Sequence, residues 1–179
     1  MKIMGSEEIK RTLLKLTSNF LKKNKSLDEV VIIGIQRRGA TLASRISEII
    51  KSLKGKKLPV GTLDITLYRD DLSRISYQPI IRSTDIPFSI DDKHLLLVDD
   101  VLYSGRTVRA ALDALLDHGR PKKIELLVFV DRSHRELPIQ ADYVGKKIMS
   151  LPGQIVEVKL KEMDEKEEVV ILEKKKDEI

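Results

Sequence analysis

The residues His94–Leu112, HLLLVDDVLYSGRTVRAAL, pass from an apolar stretch through two adjacent aspartates and a short polar loop into a helical pattern. A strand that is apolar on successive residues is buried on both faces, and helices that alternate with such strands must cover the sheet. The alternation recurs along the chain. VVIIGI (Val30–Ile35) reads as a buried strand, QRRGA as a turn, and Leu42, Ile46, Ile49 and Ile50 mark the helix that follows. VGTLDITLY (Val60–Tyr68) reads as the second strand and HLLLVDD as the third. The helix after it runs from about Thr107 to Asp117 and is stopped by Gly119 and Pro121. KIELLVFVD (Lys123–Asp131) and DYVGKKI complete the set. Ahead of them, Ser6 reads as the cap of an amphipathic helix carrying Ile9, Leu13, Leu16 and Phe20, with Glu7 and Glu8 in its first turn. Behind them, IVEVKL and EEVVILEKK read as a terminal hairpin and KKKDEI as a fraying tail. The expected fold is α/β, a mainly parallel central sheet flanked by helices.

A chain of 179 residues, 41% of them hydrophobic, suffices for one domain over residues 1–179 with a real core. Two segments break the alternation. Residues 69–93 carry prolines and mixed polarity, as an arm or lid would. Residues 131–140, DRSHRELPIQ, are dense in charge directly after a buried strand. With no Cys there is neither a disulfide framework nor a thiolate metal site, and His94, His118 and His134 do not form a zinc spacing. The N-terminus has early acids and is not a signal peptide, and no apolar run approaches the ~18 residues of a membrane span. A cytoplasmic protein with no membrane partner is expected. A net charge of +5 fits an anionic partner, phosphorylated metabolite or nucleic acid, as well as it fits a slightly basic solvated surface.

In an open parallel sheet, ligands bind beyond the carboxyl ends of the strands. Asp99 and Asp100 stand at such an end, and Val101–Arg106 lead into a helix N-terminus. Tyr103, Ser104, Gly105, Arg106 and Thr107 offer backbone N–H groups, hydroxyls and a guanidinium, a phosphate cradle in which Gly105 lets the backbone come close. The P-loop spacing is absent. The aspartates can accept from sugar hydroxyls or face a Mg²⁺ that those hydroxyls share with a pyrophosphate. Phosphate cradle plus diol-binding acids describe a ribose 5-phosphate; the plainer alternative is a strand end with solvated acids and a capped helix.

Leu95–Thr107, LLLVDDVLYSGRT, resembles the motif by which type I phosphoribosyltransferases bind phosphoribosyl pyrophosphate (PRPP). The resemblance implies that Asp99 and Asp100 hold the ribose 2- and 3-hydroxyls and that Tyr103–Thr107, with Val101 and Leu102 leading in, hold the 5-phosphate. GIQRRGA (Gly34–Ala40) resembles the family's pyrophosphate loop, which assigns Arg37 and Arg38 to the leaving group. The segment after TLYRDD resembles the arm that closes over an oxocarbenium-like transition state and excludes water, from which Arg69 and Arg74 either reach the pyrophosphate or remain surface arginines.

DITLYRDDLS, VDDVLYSGRTVRAALDAL, HGRP and VDRSHRELPI with ADYVGK together resemble the PyrR family, pyrimidine-operon attenuators that also act as uracil phosphoribosyltransferases. The resemblance implies that uracil and PRPP give UMP and pyrophosphate, with Mg²⁺ carried by the substrate and no dedicated protein ligand set. It places a small base-binding hood at 131–160, opening with Asp131–Arg135, with Arg132 and Val156 at the base, and it implies a homodimer or higher homo-oligomer. Purine enzymes of this fold carry an acid inside the phosphate loop; here that position is Tyr103. The second activity implied is UMP-dependent binding of a pyrimidine-operon mRNA leader, with His134, Arg135 and Lys146 as contact candidates. Gln140 and Ser18 stand where family members carry Arg and His, and Gln36-Arg37 where Lys-Thr is common. Two functions of different class follow: an enzyme making UMP, or an RNA-binding attenuator whose nucleotide site is mainly a sensor. A phosphoribosyltransferase acting on another base is the reserve.

Overall fold

The computed structural model describes residues 1–75 and 82–174. The elements run β1 (Lys2–Gly5), α1 (Ser6–Lys23), β2 (Val30–Ile35), α2 (Arg38–Lys54), β3 (Val60–Leu63), a 3₁₀ turn (Thr66–Tyr68) and α3 (Leu72–Ile75). They continue with β4 (His94–Leu102), α4 (Arg106–His118), β5 (Lys123–Asp131), β6 (Tyr143–Lys147), β7 (Gln154–Lys159) and β8 (Glu168–Glu173). The central sheet has five strands in the order β3-β2-β4-β5-β6, and every pairing in it is parallel. A second sheet of three strands, β1-β8-β7, is antiparallel.

Side chains on a strand alternate between its faces, so the apolar strands divide their residues between two layers. Ile32, Leu96 and Val98 join α1, α2 and the small sheet in one apolar cluster. Ile33, Leu95 and Leu97 join α4 in the other. β2 sends its helix to the first face and β3 to one side; β4 sends its helix to the second face and β5 to the other side. The connections leaving β2 and β4 therefore diverge, and the crevice between them is the topological switch point of the sheet.

Three expectations need correction. β3 ends at Leu63 and does not run to Tyr68. The carboxylate of Asp64 accepts from the backbone N–H of Thr66 at 2.9 Å, a local turn that takes the backbone out of the ladder. The returning end of the arm then pairs with β3, with Thr62 and Asp85 forming an antiparallel bridge. At the N-terminus Gly5, not Ser6, caps α1, and the Ser6 hydroxyl donates to Glu167 at 2.7 Å. The terminal hairpin is real but gains β1 as a third strand. The tail beyond 174 and residues 76–81 of the arm lie outside the described residues.

At the amino end of the sheet, far from the crevice, Glu125 is fully buried. Its carboxylate meets Lys23 Nζ at 2.7 Å, Lys123 Nζ at 3.0 Å, Asn24 Nδ2 at 3.0 Å and His94 Nε2 at 2.8 Å. Burial alone would raise its pKa; the hydrogen bonds from Lys23, Lys123 and Asn24 outweigh it and hold the carboxyl at about 2 against an ordinary 4.5. The folded state therefore binds this proton less readily than the unfolded state. The stabilisation is complete above the ordinary value and is lost as pH falls toward about 2. A shift of this size corresponds to ~3 kcal/mol. Urea unfolding from neutral pH to pH ~2.5 should show a falling midpoint, and Glu125→Gln should be destabilised at neutral pH and lose most of that slope. Parallel slopes in the two proteins would refute the assignment.

Candidate active site

β4 carries Asp99 and Asp100 and continues to Leu102, so the acids lie inside the strand and not at its last residue. Asp99 is 5% exposed and Asp100 is half-buried. The N–H of Asp100 donates to Asp99 Oδ1 at 2.9 Å, and that of Val101 donates to Asp100 Oδ1 at 2.9 Å. Burial, and then the charge of Asp100, push the Asp99 carboxyl well above the ordinary carboxylate range. Burial also raises Asp100, but a hydrogen bond from Asp99 and the nearby Arg38 guanidinium counteract it. Burial therefore acts against the charge on both acids, most strongly at Asp99. The pair is a high-energy arrangement that a cation or a diol would relieve.

Across the crevice, Gln36–Arg38 join β2 to α2, and the Gln36–Arg37 peptide is cis. Two glycines let this loop lie against the acid strand. A Cβ on Gly34 would sit 2.4 Å from Ala40 Cα, and one on Gly39 would sit 2.5 Å from the carbonyl oxygen of Val98. Arg37 is exposed. Arg38 donates from Nη2 to Asp164 at 3.1 Å, while its buried Nε has no partner among the described residues. A buried N–H left unsatisfied costs ~1–3 kcal/mol, which an incoming oxygen acceptor would recover.

The loop beyond the acids leads directly into the N-terminus of α4. Gly105 takes a φ of 94°, open to glycine, and α4 starts at the next residue. The N–H groups of Glu136 and Leu137 donate to the Ser104 carbonyl at 2.9 and 3.1 Å, which fixes the loop from the hood side. The Arg106 side chain does not turn into the cradle. Its guanidinium donates to Glu136 at 2.6 Å and to Asp70, carboxylates from two distant segments that flank it on the outside. The Arg106 side chain thus ties the arm to the hood, and the amides of 103–107 with the Ser104 and Thr107 hydroxyls are left as the candidate anion-binding groups.

The crevice between these parts encloses about 330 Å³. The residues that line it include Arg37, Arg38, Asp99, Asp100, Val101 and Thr107. Arg69 lines it too, with its guanidinium held by Asp71 at 2.9 Å on both oxygens. The Arg74 side chain lies outside the described residues. Arg82 and Asp64 also line the crevice, and sequence reasoning missed both along with Asp164. Asp64 accepts from the Arg82 backbone N–H, which anchors the returning arm. Only the acid of Asp64 inside a strand-like run hinted at a turn there.

In the hood, Arg132 is 8% exposed and lies with its guanidinium 3.8 Å from the centre of the Tyr103 ring. His134 stacks on the same ring at 5.1 Å and 24°. Arg135 donates to Ile139 O, Tyr103 O and Asp131 Oδ1, all at 2.7–2.8 Å, so the expected RNA contact is spent on bracing the loop. Val156 is 6% exposed within the larger apolar cluster and does not line the crevice. On β7 it pairs with Ile171 of β8, two residues from the Gln154 carbonyl that accepts from Arg132. Lys146 lies on β6 beside Arg11 and Thr12, on a different surface from the crevice.

The model of the phosphoribosyl transferase domain family matches residues 5–163. The "Bifunctional protein PyrR" of Pelotomaculum thermopropionicum is 52% identical over 171 residues, covering 96% of this chain and 94% of that one. That of Acetivibrio thermocellus is 56% identical over 162 residues, covering 90% and 88%. Among solved structures, the hypoxanthine phosphoribosyltransferase of Trypanosoma cruzi superposes with a TM-score of 0.72 at 16% identity, covering 97% of each chain. A hypoxanthine-guanine phosphoribosyltransferase of Bacillus anthracis gives 0.68 at 18% identity, covering 87% and 86%. The two solved structures establish the fold.

Proposed function

The chain belongs to the phosphoribosyltransferase family and, within it, to the bifunctional PyrR proteins, and from that membership we propose that it is a uracil phosphoribosyltransferase, converting uracil and PRPP to UMP and pyrophosphate. The observation that carries the reading is the facing of Asp100 and Arg38 across one crevice that a phosphate cradle closes at its end.

The ribose hydroxyls donate to Asp99 and Asp100, and the 5-phosphate accepts from the N–H groups of 103–107 and the hydroxyls of Ser104 and Thr107. That fixes the anomeric carbon between the base side and the pyrophosphate side, so most of the barrier is lowered by orientation. Uracil N1 forms its bond to that carbon as the bond to pyrophosphate oxygen breaks, and the uracil N1 proton is lost to solvent. Ionised Asp100 lies beside the carbon where positive charge develops. Arg38, whose Nε lacks a partner, and Arg37 receive the charge that grows on the leaving oxygens. Arg69 and Arg82, both on the crevice wall, close the arm over it and exclude water. Among the described residues, no group of three or more His, Cys, Asp or Glu is placed to hold a metal ion. The two carboxylates fit a Mg²⁺ shared with PRPP oxygens, which would neutralise the pyrophosphate when bound.

The regulatory half of the function is UMP-dependent binding of a pyrimidine-operon mRNA leader. We place its contacts on the surface of Lys146 and Arg11, with His134 as a further candidate. Among the described residues no helix is long and apolar enough to cross a membrane, and a cytoplasmic location suits such a partner.

A panel of bases offered with PRPP and Mg²⁺ tests the reading. Uracil should react faster than hypoxanthine, guanine or orotate, because Tyr103 fills the place of the acid that serves a purine. Faster turnover of any other base would overturn the uracil assignment.

A further inference from the structure

Tyr103 belongs to the phosphate cradle by sequence, yet its ring does not face the crevice wall. The Arg132 guanidinium lies 3.8 Å from the ring centre, and the His134 ring stacks on it with centroids 5.1 Å apart. The cradle end of the residue is tied down separately: its carbonyl accepts from Arg135 Nη1 at 2.8 Å. Arg132 is in turn held along its edge. Nε donates to Ser150 Oγ at 2.8 Å, Nη2 donates to the Gln154 carbonyl at 2.6 Å, and its own N–H donates to Leu102 O at 2.9 Å. Among the described residues nothing accepts from Nη1. A guanidinium with one free donor, clamped on its edge by the hood and on its face by an aromatic ring, is set up to meet an acceptor in one plane. A planar lactam such as uracil offers two carbonyl oxygens of that kind.

We propose that Tyr103 is a positioning residue of the base site: its ring sets the plane of the Arg132 guanidinium, so that Arg132 Nη1 donates to a carbonyl of the pyrimidine. The inference rests on the uracil reading above and deepens it. It assigns to a loop residue a role in base affinity that is independent of phosphate binding. The arrangement also couples the two substrates. The loop that takes the 5-phosphate and the arginine that takes the base share one aromatic ring, and Arg135 binds that ring's backbone to Asp131 at the end of β5.

The test separates the two substrates. Tyr103→Leu keeps an apolar side chain but removes the π face; Tyr103→Phe keeps the face and removes the hydroxyl. Tyr103→Leu should raise the KM for uracil about tenfold, the size of a partly desolvated cation–π contact, with PRPP affinity by calorimetry changed less than about twofold. Tyr103→Phe should restore the uracil KM to within about twofold of wild type. Equal weakening of PRPP and uracil by Tyr103→Leu would return the residue to the phosphate cradle. Equal loss in both variants would assign the effect to the hydroxyl. Both results overturn the proposal. The uracil reading is judged on the wild-type protein in the same assay: if it turns over a different base and not uracil, that reading fails, and the KM split is then read with the base that reacts.

Discussion

Asp100→Asn is expected to weaken Mg²⁺-dependent PRPP binding by about 10–100-fold, the worth of a hydrogen bond to a charged acceptor, without unfolding the protein. The hydrogen bond from Asp99 and the Arg38 guanidinium favour a negative charge on Asp100 against the rise that burial imposes. The amide loses that charge and half of the acceptors for the ribose diol. The same substitution should leave the melting temperature unchanged or raise it. The folded-state pKa is raised, so the unfolded chain ionises more readily, and the stability present below the ordinary carboxylate pKa is lost as pH rises through the folded value. An uncharged residue escapes that loss. The two effects have opposite signs, which distinguishes a binding residue from a structural one. Calorimetry with PRPP and Mg²⁺, beside a thermal melt, checks both; unchanged PRPP affinity would remove Asp100 from the site.

Gly39→Ala is expected to destabilise the protein by ~2–3 kcal/mol, as overpacking a close-packed contact does. Ala is otherwise the better helix former of the two, so the sign itself is diagnostic. The added Cβ would lie 2.5 Å from Val98 O and 3.2 Å from Asp99 Cα, both backbone atoms of the central strand that cannot turn aside. The start of α2 must then move away from β4, and Arg38 moves with it. Activity should fall by more than the loss of folded protein explains, with kcat/KM down at least about tenfold in samples shown to be folded at the assay temperature. A stable, fully active variant would show that the pyrophosphate loop does not depend on this contact.

The parts of the site that were legible in the sequence are those built from neighbours along the chain. Asp99 and Asp100 follow an apolar run, Ser104–Thr107 follow them, and local chemistry alone gives them a meaning. The alternation of apolar strands with amphipathic helices was equally local, and with it the parallel sheet. What escaped was set by contacts between distant segments. Asp164 is placed by the small sheet, so its bond to Arg38 has no trace near either residue. Arg106 looked like a phosphate ligand until Asp70 and Glu136 supplied two carboxylates to its guanidinium. Arg135 looked free until the loop it braces was in place. β1 is four residues long and pairs only with the far end of the chain, at Glu168–Val170, which a short periodic pattern cannot announce. β3 was read too long because Asp64 turns the chain with a side-chain acceptor, and such a turn interrupts an apolar run without a glycine or proline to mark it.

The antiparallel sheet that joins β1 to β8 and β7 has a consequence for synthesis. Ribosomes deliver the chain from its N-terminus, and domains begin to organise during that delivery. The strand bearing the aspartates, the loop after it and the helix α4 all emerge while β8 is still unmade. Gln154, whose carbonyl steadies Arg132, stands at the start of β7 and has no partner strand until Glu168–Glu173 arrive. β1 has waited beside them for almost the whole chain, and long-range pairings of this kind form slowly. A nascent chain therefore closes its small sheet last, when β8 lays Val169 and Ile171 into the larger apolar cluster against the central strands.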